Sequence, residues 1–302
     1  MNTDKLRLHK DEAARWVTGG GWTRPWSLDR DRAARWVFGA LLVIFFYRYF
    51  THSLVHQLQQ PVLSQSDFDY TYWLYHFTRF PDVFVQHRTG AFLFDGVLLA
   101  STLYCWATRG GRRGIVVLSA LCWSLYGLTY NSYSYHHNHA VIGIMVLPYV
   151  FLAKEESSFT LAWDGMRYFC LYIYVDAFFI KTFIGQNVAY FPAGVEFIKT
   201  NQSAFMLQHP GSALRAVYAF FLTHPRLSYA GFVSMVLLQG CMVVGFFTRK
   251  WDQFLFFIPL VFHCITYFFI DVFFFELLIL NLTLLPAKKG PDAHPVSRPE
   301  QE

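Results

Sequence analysis

LSYAGFVSMVLLQGCMVVGFFTRKWDQFLFFIPLVFHCITYF, residues 227–268, contains two long apolar windows separated by a turn with Arg249 and Lys250. A helix needs about 20 apolar residues to cross a bilayer core of about 30 Å. Both windows, 227–247 and 251–268, are close to that length, and short loops rich in Lys and Arg stay in the cytoplasm. The stretch therefore predicts two membrane-spanning helices joined by a cytoplasmic turn.

The composition of the whole chain extends this prediction. Of 302 residues, 54% are hydrophobic and only 15% are charged, whereas soluble domains carry about 25% charged residues. We expect an all-α integral membrane protein, a bundle of about eight transmembrane helices. Their windows are residues 36–57, 91–107, 114–133, 139–153, 161–184, 227–247, 251–268 and 272–286. The second, fourth and eighth windows are short, so re-entrant or strongly buried segments are the alternative for them.

The distribution of basic residues predicts the orientation. Basic residues before the first window, in the turns after the second, fourth and sixth windows, and after the last window all fall on one side, which should be cytoplasmic. We therefore expect both termini in the cytoplasm and a multi-pass location in the cell inner membrane or another membrane. The expected parts are a cytoplasmic segment at 1–34, a transmembrane domain at 35–286 and a polar tail at 287–302. The net charge of +5 then suits anionic lipid headgroups and is no evidence for nucleic acid.

Two outward connections, 58–90 and 185–226, are long and rich in aromatic residues. We predict amphipathic interfacial helices in both. They would lie in the headgroup layer as an aromatic belt, or they would roof a substrate cavity.

Ionisable residues inside apolar windows are costly and need a partner or a function. Arg48 and Asp95 lie on neighbouring windows and are predicted to pair. The other such residues are Asp176, Lys181, His263, Asp271 and Glu276. The five cysteines also fall inside windows, show no CxxC spacing and are expected to be small core residues.

Lys181 is the strongest catalytic candidate, because aliphatic and aromatic residues surround it in LYIYVDAFFIKTFIG. Burial disfavours the charged form of a lysine, and a neutral amine can act as a base or nucleophile. Tyr174 and Ala177 share its helix face, whereas Asp176 is rotated by about 140°. The alternative is a lysine that snorkels to the outer interface.

A second candidate is the run Tyr135-His136-His137-Asn138-His139 between the third and fourth windows. Its imidazoles and carboxamide can polarise an oxyanion, relay protons or bind a metal. Chance clustering at a wet interface is the alternative. His263 and Asp271 add polar groups at a similar outer level, so convergence on one site is expected.

These residues together resemble the horizontally transferred transmembrane (HTTM) family, whose members include the vitamin K-dependent gamma-glutamyl carboxylases. The likeness lies in LDRDRAARWVFGALL, in Asn138-His139 followed by AVIGIMVLPYVF, in Tyr174-x-x-Ala177-x-x-x-Lys181, and in Phe262-His263. It implies Lys181 as the base, with His139 and Asn138 stabilising charge. It also implies a lipid-soluble, vitamin K-like hydroquinone with O2 and CO2, held near Tyr174, Ala177, His263, His136 and His137. No acidic-basic pair precedes Asn138 here, which departs from the carboxylase pattern.

Two other functions fit the sequence. One is a non-enzymatic membrane partner for maturation or export of a peptide, with a peptide substrate or a membrane protein as its partner besides lipids. The other is a histidine-box metal oxygenase, suggested by HSLVH at His52 to His56. Such enzymes need more histidine clusters than this chain offers, so the predicted site contains no metal.

Overall fold

The computed structural model describes residues 29–58, 75, 77–133, 138–185, 188–270 and 274–285. All regular elements of these residues are helical. The α-helices are α1 Arg30–Phe50, α2 Phe80–Phe84, α3 Arg88–Ala107, α4 Arg113–Tyr133, α5 Asn138–Val146, α6 Glu156–Phe179, α7 Ala193–Gln208, α8 Ala213–Thr223, α9 Pro225–Cys241, α10 Val244–Phe247 and α11 Asp252–Ile270. Three 3-10 segments, Val55–Gln57, Leu147–Leu152 and Leu277–Leu284, and one π segment, Ile180–Ile184, complete the described elements.

Five helical stretches are long and apolar enough to cross a membrane. They are Arg30–Gln57, Arg88–Ala107, Arg113–Tyr133, Pro225–Phe247 and Asp252–Phe269. The predicted all-helical class is thereby confirmed for the described residues, and the five stretches are consistent with the predicted multi-pass character. Two shorter apolar helical stretches, Val141–Leu152 and Ala213–Thr223, accompany them.

Local sequence explains where several helices begin and end. The Asp29 carboxylate accepts a hydrogen bond from the Arg32 backbone N–H at 3.1 Å and caps α1. Ser212 caps α8 in the same way, and Pro225 starts α9, where its missing N–H costs nothing. Between α3 and α4 the chain turns with Gly110 at a φ of 72°, a conformation that suits glycine. These residues mark the helix ends, and the connections between the helices that they bound are short.

The predicted pair of Arg48 and Asp95 is wrong. Asp95 instead accepts hydrogen bonds from the backbone of Val55 and His56 and lies 2.7 Å from the His56 ring. Arg48 pairs with the carboxylate of Glu276. The chain after α1 folds back and supplies Asp95 with backbone donors, so Arg48 takes its counter-charge from the segment before Leu277–Leu284.

A second network of charges closes the turn between α9 and α11. The Arg167 guanidinium of α6 donates to both Asp252 carboxylate oxygens and to the carbonyls of Gly245 and Thr248. Asp164, one turn earlier, pairs with Arg249 at 2.5 Å. The sequence interpretation omitted Asp164 and Arg167 from the ionisable residues inside apolar windows. The structure gives both a fixed role at the α9–α11 turn.

The cysteines divide into two groups. Cys105, Cys122 and Cys170 are buried, as expected, but Cys241 and Cys264 are exposed on the outside of the bundle. The prediction of five core cysteines is therefore wrong for these two, because a helix in lipid has an apolar outer face as well as an apolar inner one.

Candidate functional site

Lys181 lies where α6 continues into the π segment Ile180–Ile184. Its Nζ donates to Oε1 of Gln239 on α9 at 2.8 Å. Nζ also lies 5.5 Å from the centroid of the Phe262 ring on α11, within the range of a cation–π contact. Among the described residues no carboxylate forms an ion pair with Lys181. Its surroundings are thus apolar and aromatic, with one amide oxygen as partner.

A cavity of about 400 Å³ opens beside Lys181, a volume typical of small-molecule sites. The π segment, α7, α9 and α11 form most of its wall, and aliphatic and aromatic side chains supply most of its surface. The lining includes Lys181, Gln239, Phe197, Phe232, Phe262 and Phe269. The cavity therefore suits a largely apolar molecule that presents one polar group to Lys181.

A close approach of α7 to α9 forms one side of this cavity. A Cβ atom added at Gly194 would collide with the backbone of Ser228, and both residues line the cavity. Only a glycine at position 194 lets the two helices meet at this distance. This side of the cavity therefore depends on the contact between Gly194 and the Ser228 backbone.

Tyr174 and His263 are hydrogen-bonded to each other beside the same aromatic ring. The Tyr174 hydroxyl lies 3.1 Å from Nε2 of His263, and both residues are buried. Both rings make edge contacts with Phe262, over which Lys181 lies. Tyr174 and Lys181 are seven residues apart, about two helical turns. The structure thus brings Tyr174, Lys181 and His263 together around Phe262, with half-buried Ala177 between the first two along α6.

The histidine run is only partly described. His136 and His137 lie outside the described residues, as do the side chains of Asn138 and His139, whose backbone begins α5. Helix α5 packs on α4 and on the segment Leu277–Leu284. Convergence of these residues with Lys181 stays a prediction.

Sequence reasoning missed Gln239 because the search for functional residues inside apolar windows considered ionisable groups only. A glutamine inside an apolar window is itself a signal of a polar contact, since a buried carboxamide needs hydrogen-bond partners. In the structure Gln239 is 3% exposed. The HSLVH pair is also separated from the Lys181 site: His56 binds Asp95 and stacks on Phe92. In the part of the chain that the structure describes, no group of three His, Cys, Asp or Glu residues is placed to hold a metal ion.

Comparisons with protein families, with curated proteins and with solved structures gave no match. The resemblance to the HTTM family stays a prediction. The candidate site is defined by its own geometry: a half-buried lysine, a neutral amide partner and an adjoining aromatic cavity.

Proposed function

We propose that the protein is a membrane-embedded enzyme, similar to the vitamin K-dependent carboxylases, in which Lys181 takes a proton from a lipid-soluble hydroquinone. One observation carries the proposal. The Lys181 amine lies in the wall of an apolar cavity and has a neutral partner, Gln239, instead of a carboxylate. An amine in the wall of a cavity is within reach of a proton on a substrate bound there.

The cavity lining fits the proposed ligand. The rings of Phe197, Phe232, Phe262 and Phe269 would pack against a quinone ring and an aliphatic chain. A hydroquinone supplies electrons to O2 once a phenolic proton has been removed. The chain's own contribution would be to bind the ring, exclude water and accept that proton at Nζ of Lys181.

Tyr174 and His263 support this role from behind Phe262. Their hydrogen bond ties α6 to α11 beside the lysine, which would fix the position of the ring that Lys181 faces. We further propose that His139, Asn138, His136 and His137 stabilise the anion, that Ala177 leaves space for the ligand, and that CO2 is the second substrate of a carboxylation, with a peptide as its acceptor.

The membrane arrangement belongs to the same proposal. We propose a bundle of about eight spans with both termini in the cytoplasm, in which α6 and the shorter apolar segments complete the five long stretches. Helices α7 and α8 would lie in the outer headgroup layer. In support, α8 exposes Leu214, Val217 and Phe220 along one face, while its Tyr218 hydroxyl donates to the Phe268 carbonyl of α11 at 2.7 Å.

The test is oxygen-dependent conversion of a vitamin K-like hydroquinone by the full-length protein in lipid vesicles. We expect Lys181→Ala to lower turnover by a factor of at least about 10² without loss of folded protein. Lys199→Ala, an exposed lysine on α7, is the matched control and should convert the hydroquinone at the wild-type rate. Wild-type turnover in Lys181→Ala would refute the role of Lys181.

Binding is tested separately from turnover. A lipid extract of the purified wild-type protein should contain a quinone in proportion to the protein. If quinone is bound but none is converted, the non-enzymatic partner in peptide maturation or export becomes the better explanation.

A further inference from the structure

We infer that Gln239 is a positioning residue: it points the Lys181 amine into the cavity and, because it is uncharged, leaves that amine able to accept a proton. The inference deepens the proposed function and rests on it for the catalytic part alone. The contact between the two side chains has its own test below.

Gln239 is placed to make a single, well-defined contact. It is 3% exposed on α9, and its Oε1 accepts the hydrogen bond from Nζ of Lys181 at 2.8 Å. In this contact the oxygen of the carboxamide is the acceptor and an N–H of the lysine is the donor. The bond spans 58 residues of chain and joins the end of α6 to the end of α9.

The number of hydrogen-bond partners favours a neutral lysine at this place. An ammonium has three N–H donors and no acceptor, whereas Lys181 has one bonded oxygen and the face of Phe262 among the described residues. A neutral amine with one N–H on Gln239 keeps a lone pair for a hydroxyl in the cavity. Apart from the contact with the Phe262 ring, the remaining donors of an ammonium would face mostly aliphatic and aromatic side chains, which is costly.

The charges around Lys181 leave this arrangement undisturbed. No other titratable side chain belongs to the described cavity lining, which draws on α7, α8, α9 and α11. His263 of α11 lies close enough to interact with Lys181 electrostatically and is bonded to the Tyr174 hydroxyl of α6. A carboxylate at position 239 would therefore be the first negative charge beside the amine among the residues that the structure describes.

The decisive variant is Gln239→Glu in the full-length protein held in lipid nanodiscs. Its Lys181 is labelled with acetic anhydride over a range of pH, and the labelled peptide is quantified by mass spectrometry. We expect the pH of half-labelling to rise by about one to three units, because a carboxylate favours the ammonium form. Gln202→Glu puts a carboxylate at another buried position, on α7 and outside the cavity lining, and should leave the half-labelling pH unchanged.

Turnover of hydroquinone is measured on the same samples. The pH–rate profile of Gln239→Glu should move to higher pH by the same amount as the labelling curve. Gln239→Leu and Gln239→Asn should lower kcat about tenfold at unchanged KM, because the amine loses the oxygen that orients it. If Gln239→Glu does not fold, the kcat and KM of Gln239→Leu and Gln239→Asn test the inference instead.

The outcomes distinguish the positioning role of Gln239 from the proposed conversion of a hydroquinone. An unshifted labelling curve in folded Gln239→Glu, or a wild-type kcat in Gln239→Leu and Gln239→Asn, would overturn the positioning role. A shifted labelling curve in a protein whose wild type converts no hydroquinone would uphold the contact and refute the proposed function.

Discussion

Arg48 on α1 and Glu276, immediately before Leu277–Leu284, form a buried ion pair between residues 228 positions apart in the chain. Nε of Arg48 lies 2.5 Å from Oε1 of Glu276, and the guanidinium lies 4.1 Å from the centroid of the Tyr130 ring on α4. Arg48 thus links α1 both to α4 and to the chain just before Leu277–Leu284.

Glu276→Gln should therefore destabilise the protein strongly. The change leaves the Arg48 guanidinium buried without a counter-charge, and we expect the free energy of unfolding to fall by about 3–5 kcal/mol. The measurement is reversible unfolding in detergent or bicelles. Asp31→Asn removes the partner of Arg109 in an exposed pair and should cost less than about 1 kcal/mol; equal losses in the two variants would contradict this prediction.

Arg167→Met should open the turn between α9 and α11. Arg167 donates to two carbonyls of that turn as well as to Asp252, so its loss leaves buried acceptors without a donor. We expect faster hydrogen exchange in peptides covering residues 242–252, with no change in α1 or α3. Unaltered exchange in these peptides would show that Arg167 does not hold the turn.

Tyr174→Phe should reduce turnover while the protein stays folded. It removes the hydroxyl bonded to His263, a contact of about 0.5–1.5 kcal/mol, and we expect hydroquinone conversion to slow by about three- to tenfold. Tyr172→Phe, an exposed residue on the same helix, is the control. If both variants keep the wild-type rate, the Tyr174–His263 bond has no part in the reaction.

Gly194→Ala should damage the cavity wall. Its new methyl group would press on the Ser228 backbone, which cannot move aside as a side chain can, and we expect a loss of about 1–3 kcal/mol in stability. Gly165→Ala, with no atom within 4 Å of the added Cβ on α6, should instead be neutral or stabilise by up to about 1 kcal/mol. A stable Gly194→Ala protein would mean that α7 and α9 separate without cost.

Cys264 offers a test of the membrane arrangement. It lies in the middle of α11 and is exposed on the bundle surface, so it should face lipid. In intact vesicles we expect an apolar maleimide to label Cys264 and a charged maleimide not to label it. Buried Cys170, whose thiol donates a hydrogen bond to Asn281, should react only after unfolding. Labelling of Cys264 by the charged reagent would place α11 in water.

The five long helical stretches were predictable, because each overlaps a predicted apolar window, whereas the windows at 139–153, 161–184 and 272–286 are not among the five. The window predicted at 114–133 matches α4 closely, since Gly110 and Gly111 lie in the turn that separates α3 from α4. Helical spacing also predicted that Asp176 would not face Lys181, and in the structure the partner of half-buried Lys181 is Gln239.

The partners of the polar residues were not predictable. The Arg48–Glu276 pair joins distant parts of the chain, and hydrophobic periodicity contains no information about which helices become neighbours. Gln239 was missed for a related reason: its role exists only because α9 passes beside the end of α6. The cavity likewise arises from packing at Gly194, not from any single segment.

The π segment at Lys181 sets the direction in which the chain leaves α6. A π turn accommodates about one more residue than an α-helical turn at the same position. Removing one residue between Thr182 and Ile184 would restore a continuous α-helix and rotate everything after it by about 100°. Tyr174 would stay in place, but the chain leading to α7 would leave in another direction, and the chamber beside the lysine would lose one wall. One codon would then decide whether the contact of Gly194 with Ser228 can form a wall beside Lys181.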